Sequence, residues 1–159
     1  MIYLCTALYS EAELFITLLH LKKDLSQNKF QIFSNESFTL IITGSGAISP
    51  CVAVTYLFSH YQPTPSDLLI NVGTCGCFSR DQANLGECFA IHKITELSTG
   101  RTFYPDLIIK QPFLEAEIIT SPMAINCYKN EMCIRDSLIS CVILAIAESS
   151  FRFCFCCGD

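Results

Sequence analysis

The chain has 159 residues, 51% of them hydrophobic, with a formal net charge of −5. That length suits one domain with a sizeable core. An acidic balance without basic clusters excludes nucleic acid and anionic membrane surfaces as expected partners.

Eleven cysteines would fit a secreted disulfide scaffold, but the opening MIYLCTALYSEAE has no basic leader and meets acidic residues too early for a signal peptide. The longest late apolar run, Leu138 to Ala147, is short of the roughly 20 residues that span a bilayer. The expected setting is the cytoplasm, with reduced thiols that mostly behave as small hydrophobes.

In chain order, IYLCTAL (Ile2 to Leu8) reads as a buried strand. Ser10 offers an N-cap and Glu13, three residues on, a capping-box partner. The helix that follows carries Leu14, Leu18 and Leu21 on one face, with Lys22-Lys23 favouring its C-terminal dipole. FQIF and FTLIIT are strands joined by the polar turn SNES. The second runs into GSGAISP, where Ser49 can cap a helix and Pro50 suits its first turn. That helix, CVAVTYLFSHY, stops before the breakers QPTPS. DLLINV (Asp67 to Val72) has the near-continuous apolar character of a strand covered on both faces. ECFAIHKITEL reads as a further strand and STGRTFYPD as a loop.

Strands alternating with helices predict an α/β fold: three layers, α/β/α, around a mostly parallel mixed sheet. Ligands in such sheets bind beyond the carboxyl ends of the strands. Three loops should lie there: Thr6 to Glu11, Gly44 to Ser49 and Gly73 to Phe78.

The third loop poses a choice between thiol chemistry and a ligand cradle. Cys75-x-Cys77 is too close for paired zinc ligands, and it is not the C-x-x-C of a redox motif. Gly73 and Gly76 allow close backbone approach, and Thr74 places a hydroxyl between them. A tight turn without a ligand explains the same residues. The second loop, Gly44-Ser45-Gly46, is neither G-x-G-x-x-G nor a P-loop. Glu11, taken alone, reads as a first-turn carboxylate favoured by the helix dipole. His20, His60 and His92 are scattered, and a loop arginine such as Arg101 is ordinarily solvated. No metal site or cofactor is expected.

In order, TALYSEAE, TGSGAI and LLINVGTCG resemble the N-terminal half of the nucleoside phosphorylase and nucleosidase family over roughly Met1 to Asp106. The methylthioadenosine/S-adenosylhomocysteine nucleosidases are the branch they resemble most. NVGTCG is the most specific motif, and the order and spacing of the three loops count for more than any one of them. The resemblance implies a phosphorylase/hydrolase-like fold, a purine nucleoside as small-molecule partner, and a homo-oligomer, often a dimer. It implies Glu11 as the base that activates the attacking water and Thr74 as the hydroxyl that helps hold it. Cys75 and Gly76 match the purine-contacting backbone, so the cysteines become packing in a cradle that begins at Gly73. Gly44 and Ser45 match a loop against the substrate, where Ser45 departs from the family's bulky apolar residue. Phosphorylases of the family tend to carry a phosphate-binding arginine two residues before Gly73. Asn71 stands there, and a neutral amide cannot make arginine's bidentate, charge-assisted contacts. Hydrolysis of an adenosine-type N-glycosidic bond is the expectation; a phosphorylase and a non-catalytic nucleoside-binding fragment are the alternatives.

The resemblance also implies a longer domain, with a Met-Glu segment clamping the ribose and a Ser-Asp segment protonating the purine. Neither occurs here, and Asp136 and Glu148 lack the surroundings. Glu131 to Ser137, EMCIRDS, back-translates as GAG ATG TGT ATA AGA GAC AGN, the frame of a transposase adapter used in sequencing libraries. The expectation is therefore a truncated front part, residues 1–130, joined to a non-native tail, 131–159, with little activity as written.

Overall fold

The described residues of the computed structural model are 1–26, 28–76, 86–107, 110–121 and, as backbone only, 139–145. A mixed sheet runs β2-β3-β4-β1-β5-β9-β6-β7, with β8 also paired to β6. Its centre is β1 (Ile2–Thr6), flanked in parallel by β4 (Phe38–Ile42) and β5 (Leu68–Cys75). On one side, β3 (Gln31–Ser34) pairs antiparallel with β4 and β2 (Lys22–Lys23) antiparallel with β3. On the other, β9 (Ile139–Ala145) runs antiparallel to β5 and parallel to β6 (Cys88–Glu96). β7 (Thr102–Phe103) is antiparallel to β6, and β8 (Leu114–Thr120) parallel to it. The foreign-tail reading of 131–159 falls outside the described residues except at β9.

Alternation along β1 sorts the core into two layers. Tyr3 and Cys5 pack with Ile41, Leu69 and the buried stripe Ala53, Val54 and Leu57 of α2 (Ile48–Tyr61). Leu4 and its β4 partner Leu40 turn to the opposite face, against Ala12 of α1 (Tyr9–Leu18). The two helices thus cover opposite faces of one sheet, as a three-layer α/β/α fold requires. Full burial of Cys5 pushes its thiol up to about 12 and keeps it protonated.

Several local details differ from the sequence reading. α1 begins after Leu8, whose extended backbone (φ −120°, ψ 154°) makes it the N-cap; Ser10 lies inside the first turn. The helix buries Ala12, with Phe15, Ile16 and Leu19 packed around it, while Leu14 and Leu18 face solvent. α1 is apolar on most of its circumference, so spacing alone does not select the buried side. The chain leaves α1 through His20 in the left-handed region (φ 54°), and Lys22-Lys23 become an exposed outer strand. Charged side chains on such a strand discourage pairing with other chains. Asn35 ties this corner together: Oδ1 accepts from the Ser37 and Phe38 amides at 2.9 Å each, and Nδ2 donates to the Leu19 carbonyl at 2.8 Å.

At α2 the N-cap is Ala47 rather than Ser49, and Pro50 occupies the first turn as expected. Gln62, left-handed at φ 47°, ends the helix. The segment read as one loop after β6 contains the short strand β7.

Candidate functional site

The parallel strands β4, β1 and β5 end together, and two ladder-like bonds extend their pairing into the loops. Thr43 N donates to Thr6 O at 2.8 Å and Gly44 N to Ala7 O at 3.1 Å. The loop entering α1 is thereby held beside the loop entering α2. Above them opens a cleft enclosing about 320 Å³, its mouth included, with Ala7, Glu11, Gly44, Ser45, Gly73 and Thr74 in its lining. Thr43, Gly46, Pro50, Asn71 and Val72 complete it. It lies beyond the carboxyl ends of the strands, where a sheet of this kind takes its ligand.

Glu11 joins the two sides. It is the third residue of α1, and its Oε2 accepts from the amides of Ala7 and Leu8, both at 3.0 Å. Leucine offers no side-chain acceptor, so this is only the glutamate half of a capping box. Oε1 reaches across the fold and accepts from Thr74 N at 2.9 Å and from Thr74 Oγ1 at 3.0 Å. Capping the helix and bridging the two loops are therefore two jobs of one carboxylate. Four donors fix its plane, and an anion held this way is an oriented proton acceptor at the cleft floor. Gly73 leaves the floor open beside it: a Cβ built there would stand 3.6 Å from Glu11 Oε1.

The Gly44 loop is shaped by two left-handed glycines, Gly44 at φ 77° and Gly46 at φ 86°. At Gly44 a side chain is excluded twice over, because its Cβ would lie 2.8 Å from Ser49 Oγ. Ser49 Oγ in turn donates to Thr43 O at 2.7 Å, binding the first turn of α2 back to β4.

The other singled-out residues sort by position. Gly73, Thr74 and Cys75 continue β5, with Gly76 exposed just past its end. Cys75 is half-buried against the cluster of Ile91, Ile94 and Ile118, and neither it nor Gly76 lines the cleft. Cys77 and Phe78 lie outside the described residues. His92 projects from a β6 irregularity between Glu115 and Glu117, 3.8 Å from each. Arg101 is exposed on the β6–β7 turn, and neither residue lines the cleft. Among the described residues no group of three or more His, Cys, Asp or Glu is placed to hold a metal ion. No helix among them is long and apolar enough to cross a membrane.

The sequence reading did not single out the amides of Ala7 and Leu8 or the Thr43 hydroxyl. Backbone donors leave no side-chain signature. Thr43 Oγ1 donates to Thr6 O and to Gly44 O, both at 3.1 Å, and so braces the loop junction. A polar residue closing a buried strand was the only clue.

No family model matches the chain. No curated protein matches it either. Solved structures do, with low sequence identity. A Neisseria meningitidis 5′-methylthioadenosine/S-adenosylhomocysteine nucleosidase in complex with methylthio-immucillin-A superposes with a TM-score of 0.61 at 15% identity. The match covers 77% of this chain and 64% of that one, so this chain spans less than two thirds of that enzyme's length. The Chlamydia trachomatis nucleosidase bound to MTA matches at TM-score 0.55 and 17% identity, over 92% of this chain and 80% of the other. Futalosine hydrolase of Helicobacter pylori matches at 0.62 and 8% identity, over 91% and 85%. The chain has the α/β fold that these nucleosidases and futalosine hydrolase share.

Proposed function

We propose that the cleft is the water-activating half of a purine nucleosidase site, and that the chain's chemistry is hydrolysis of an adenosine-type N-glycosidic bond. The observation that carries this is the Glu11 carboxylate held across the strand ends by Thr74 N and Oγ1. A water that takes the place of the direct bond between the Thr74 hydroxyl and Glu11 Oε1, held by both groups, would attack C1′ as the bond to the purine nitrogen breaks. Its proton passes to Glu11, the bond's electron pair leaves with the purine, and solvent water supplies the proton that the departing base takes up. The transition state is oxocarbenium-like, so a fixed carboxylate serves as general base and as a negative charge near the developing cation. Backbone at Gly73 and Thr74, the part of that loop in the cleft lining, is the proposed purine edge.

Asn71 in the cleft lining, rather than a cation, favours water over phosphate as the nucleophile. The test is release of free adenine from adenosine analogues by the full chain, with and without inorganic phosphate. Phosphate-independent release that Glu11→Gln lowers by about 100-fold or more supports hydrolysis. Release only with phosphate makes it a phosphorylase. Nucleoside binding without release makes it a binding protein.

A further inference from the structure

Two successive peptide groups lie between the end of β4 and the Glu11 carboxylate. In the first, the Thr6 carbonyl accepts from Thr43 N at 2.8 Å and from Thr43 Oγ1 at 3.1 Å, while the N–H of the same group, that of Ala7, donates to Glu11 Oε2 at 3.0 Å. In the second, the Ala7 carbonyl accepts from Gly44 N at 3.1 Å, and the Leu8 N–H donates to the same carboxylate oxygen at 3.0 Å. Each peptide is thus held at its oxygen by the chain leaving β4 and at its nitrogen by Glu11. Only the first receives a side-chain bond.

That bond comes from a residue with nothing to spare for a ligand. Thr43 is 2% exposed although it borders the cleft, and its single hydroxyl proton is shared between Thr6 O and Gly44 O. Ser49 Oγ, donating to Thr43 O at 2.7 Å, holds the residue from its other side. A donor on a peptide carbonyl polarises the whole group and strengthens its N–H as a donor, by about 10–30% per bond. The Thr6–Ala7 group carries two such donors and the Ala7–Leu8 group one. The same bonds fix the plane of the peptide, and so the direction in which Ala7 N–H points at Oε2.

We propose that Thr43 is a positioning residue for Glu11: through the Thr6–Ala7 peptide, its hydroxyl strengthens and aims the hydrogen bond that holds Oε2. The catalytic consequence rests on the nucleosidase reading, in which Thr43 tunes the general base without touching substrate.

The experiment compares amide NMR spectra and adenine release from adenosine for the full chain, Thr43→Val, Thr43→Ser, Glu11→Gln and the Thr43→Val/Glu11→Gln double variant. Valine keeps the shape and the backbone bond and removes only the hydroxyl. It should move the Ala7 amide proton upfield and leave that of Leu8 in place, and serine should restore the native position. Release should fall about twofold to fourfold in Thr43→Val, the effect of losing that fraction of a bond to a charged group, and return in Thr43→Ser. With Glu11→Gln already present, Thr43→Val should lower release no further. An unmoved Ala7 amide in folded Thr43→Val overturns the proposal. So does an equal shift at Ala7 and Leu8, or a loss of release that is the same with and without the Glu11 carboxylate. Thr43→Cys, whose thiol is a weak donor, carries the same test if the valine variant fails to fold. Absence of release by the native protein overturns the nucleosidase reading, and the Ala7 amide then still decides whether Thr43 acts on Glu11.

Discussion

Replacing Glu11 with glutamine keeps the shape of the side chain and changes what its two ends can accept. The carboxylate takes four hydrogen bonds: Ala7 N and Leu8 N on Oε2, Thr74 N and Thr74 Oγ1 on Oε1. A carboxamide has one accepting end. With its oxygen toward Ala7 and Leu8, its NH2 faces Thr74, where the hydroxyl can turn to accept but the backbone N–H is left facing a donor. With the amide reversed, two N–H groups at the helix start face a donor instead. The first arrangement costs less: one half-buried amide loses its partner, and three bonds lose the strength of an ionised acceptor. A bond to a charged group contributes about 1.5–3 kcal/mol net, and an orphaned donor costs about 1–3 kcal/mol. Solvent access at the cleft discounts both, giving an expected loss of about 1–3 kcal/mol for Glu11→Gln. Urea unfolding of the two proteins measures this directly, and amide hydrogen exchange locates it. Protection at Thr74 should fall more than protection at Ala7 and Leu8. A midpoint unchanged within error, or equal loss of protection at all three amides, would refute the reasoning.

Other consequences follow from geometry alone. Gly44→Ala should destabilise by about 1–3 kcal/mol, from its left-handed φ and the contact with Ser49 Oγ, whereas Gly46→Ala, with nothing within 4 Å of its Cβ, should cost about 1 kcal/mol. A double-mutant cycle checks the cause: Ser49→Ala should recover part of the Gly44→Ala loss, and additive losses would rule the clash out. Leu57→Ala, in the fully buried stripe of α2, should cost about 2–5 kcal/mol, while Leu25→Ala, 86% exposed, should stay within about 0.5 kcal/mol; chemical denaturation separates them. The Met1 ammonium, donating at 2.7 Å, and then the Thr64 amide hold the Asp67 carboxyl below the usual carboxylate range. A depressed folded value means the stabilisation is present above about pH 4 and is lost as pH falls through that folded value. Asp67→Asn should therefore flatten the stability curve below about pH 4, and an acid limb identical to the parent's would contradict the assignment.

The sequence by itself determined the layers and the strand ends over which the cleft opens. Apolar runs such as YLC and LLI are strands because both faces are covered, and the glycines after β4 and before the end of β5 mark where backbone lines the cleft. The order of the three loops named the fold, and the structure places Glu11, Gly44, Ser45, Gly73 and Thr74 around one cleft. Local patterning could not choose which side of α1 is buried, because apolar residues surround that helix; its seat against Leu4 and Leu40 decided it. Nor could it tell a glutamate that only caps α1 from one that also bridges to β5. Spacing within α1 is silent about Thr74, 63 residues away. Only the parallel pairing of β1 with β5 brings those two loops together, which is why the double role of Glu11 belongs to the tertiary structure. The antiparallel margins of the sheet, where Lys22-Lys23 leave the helix to become a strand, were decided the same way, by long-range backbone pairing that no local signal encodes.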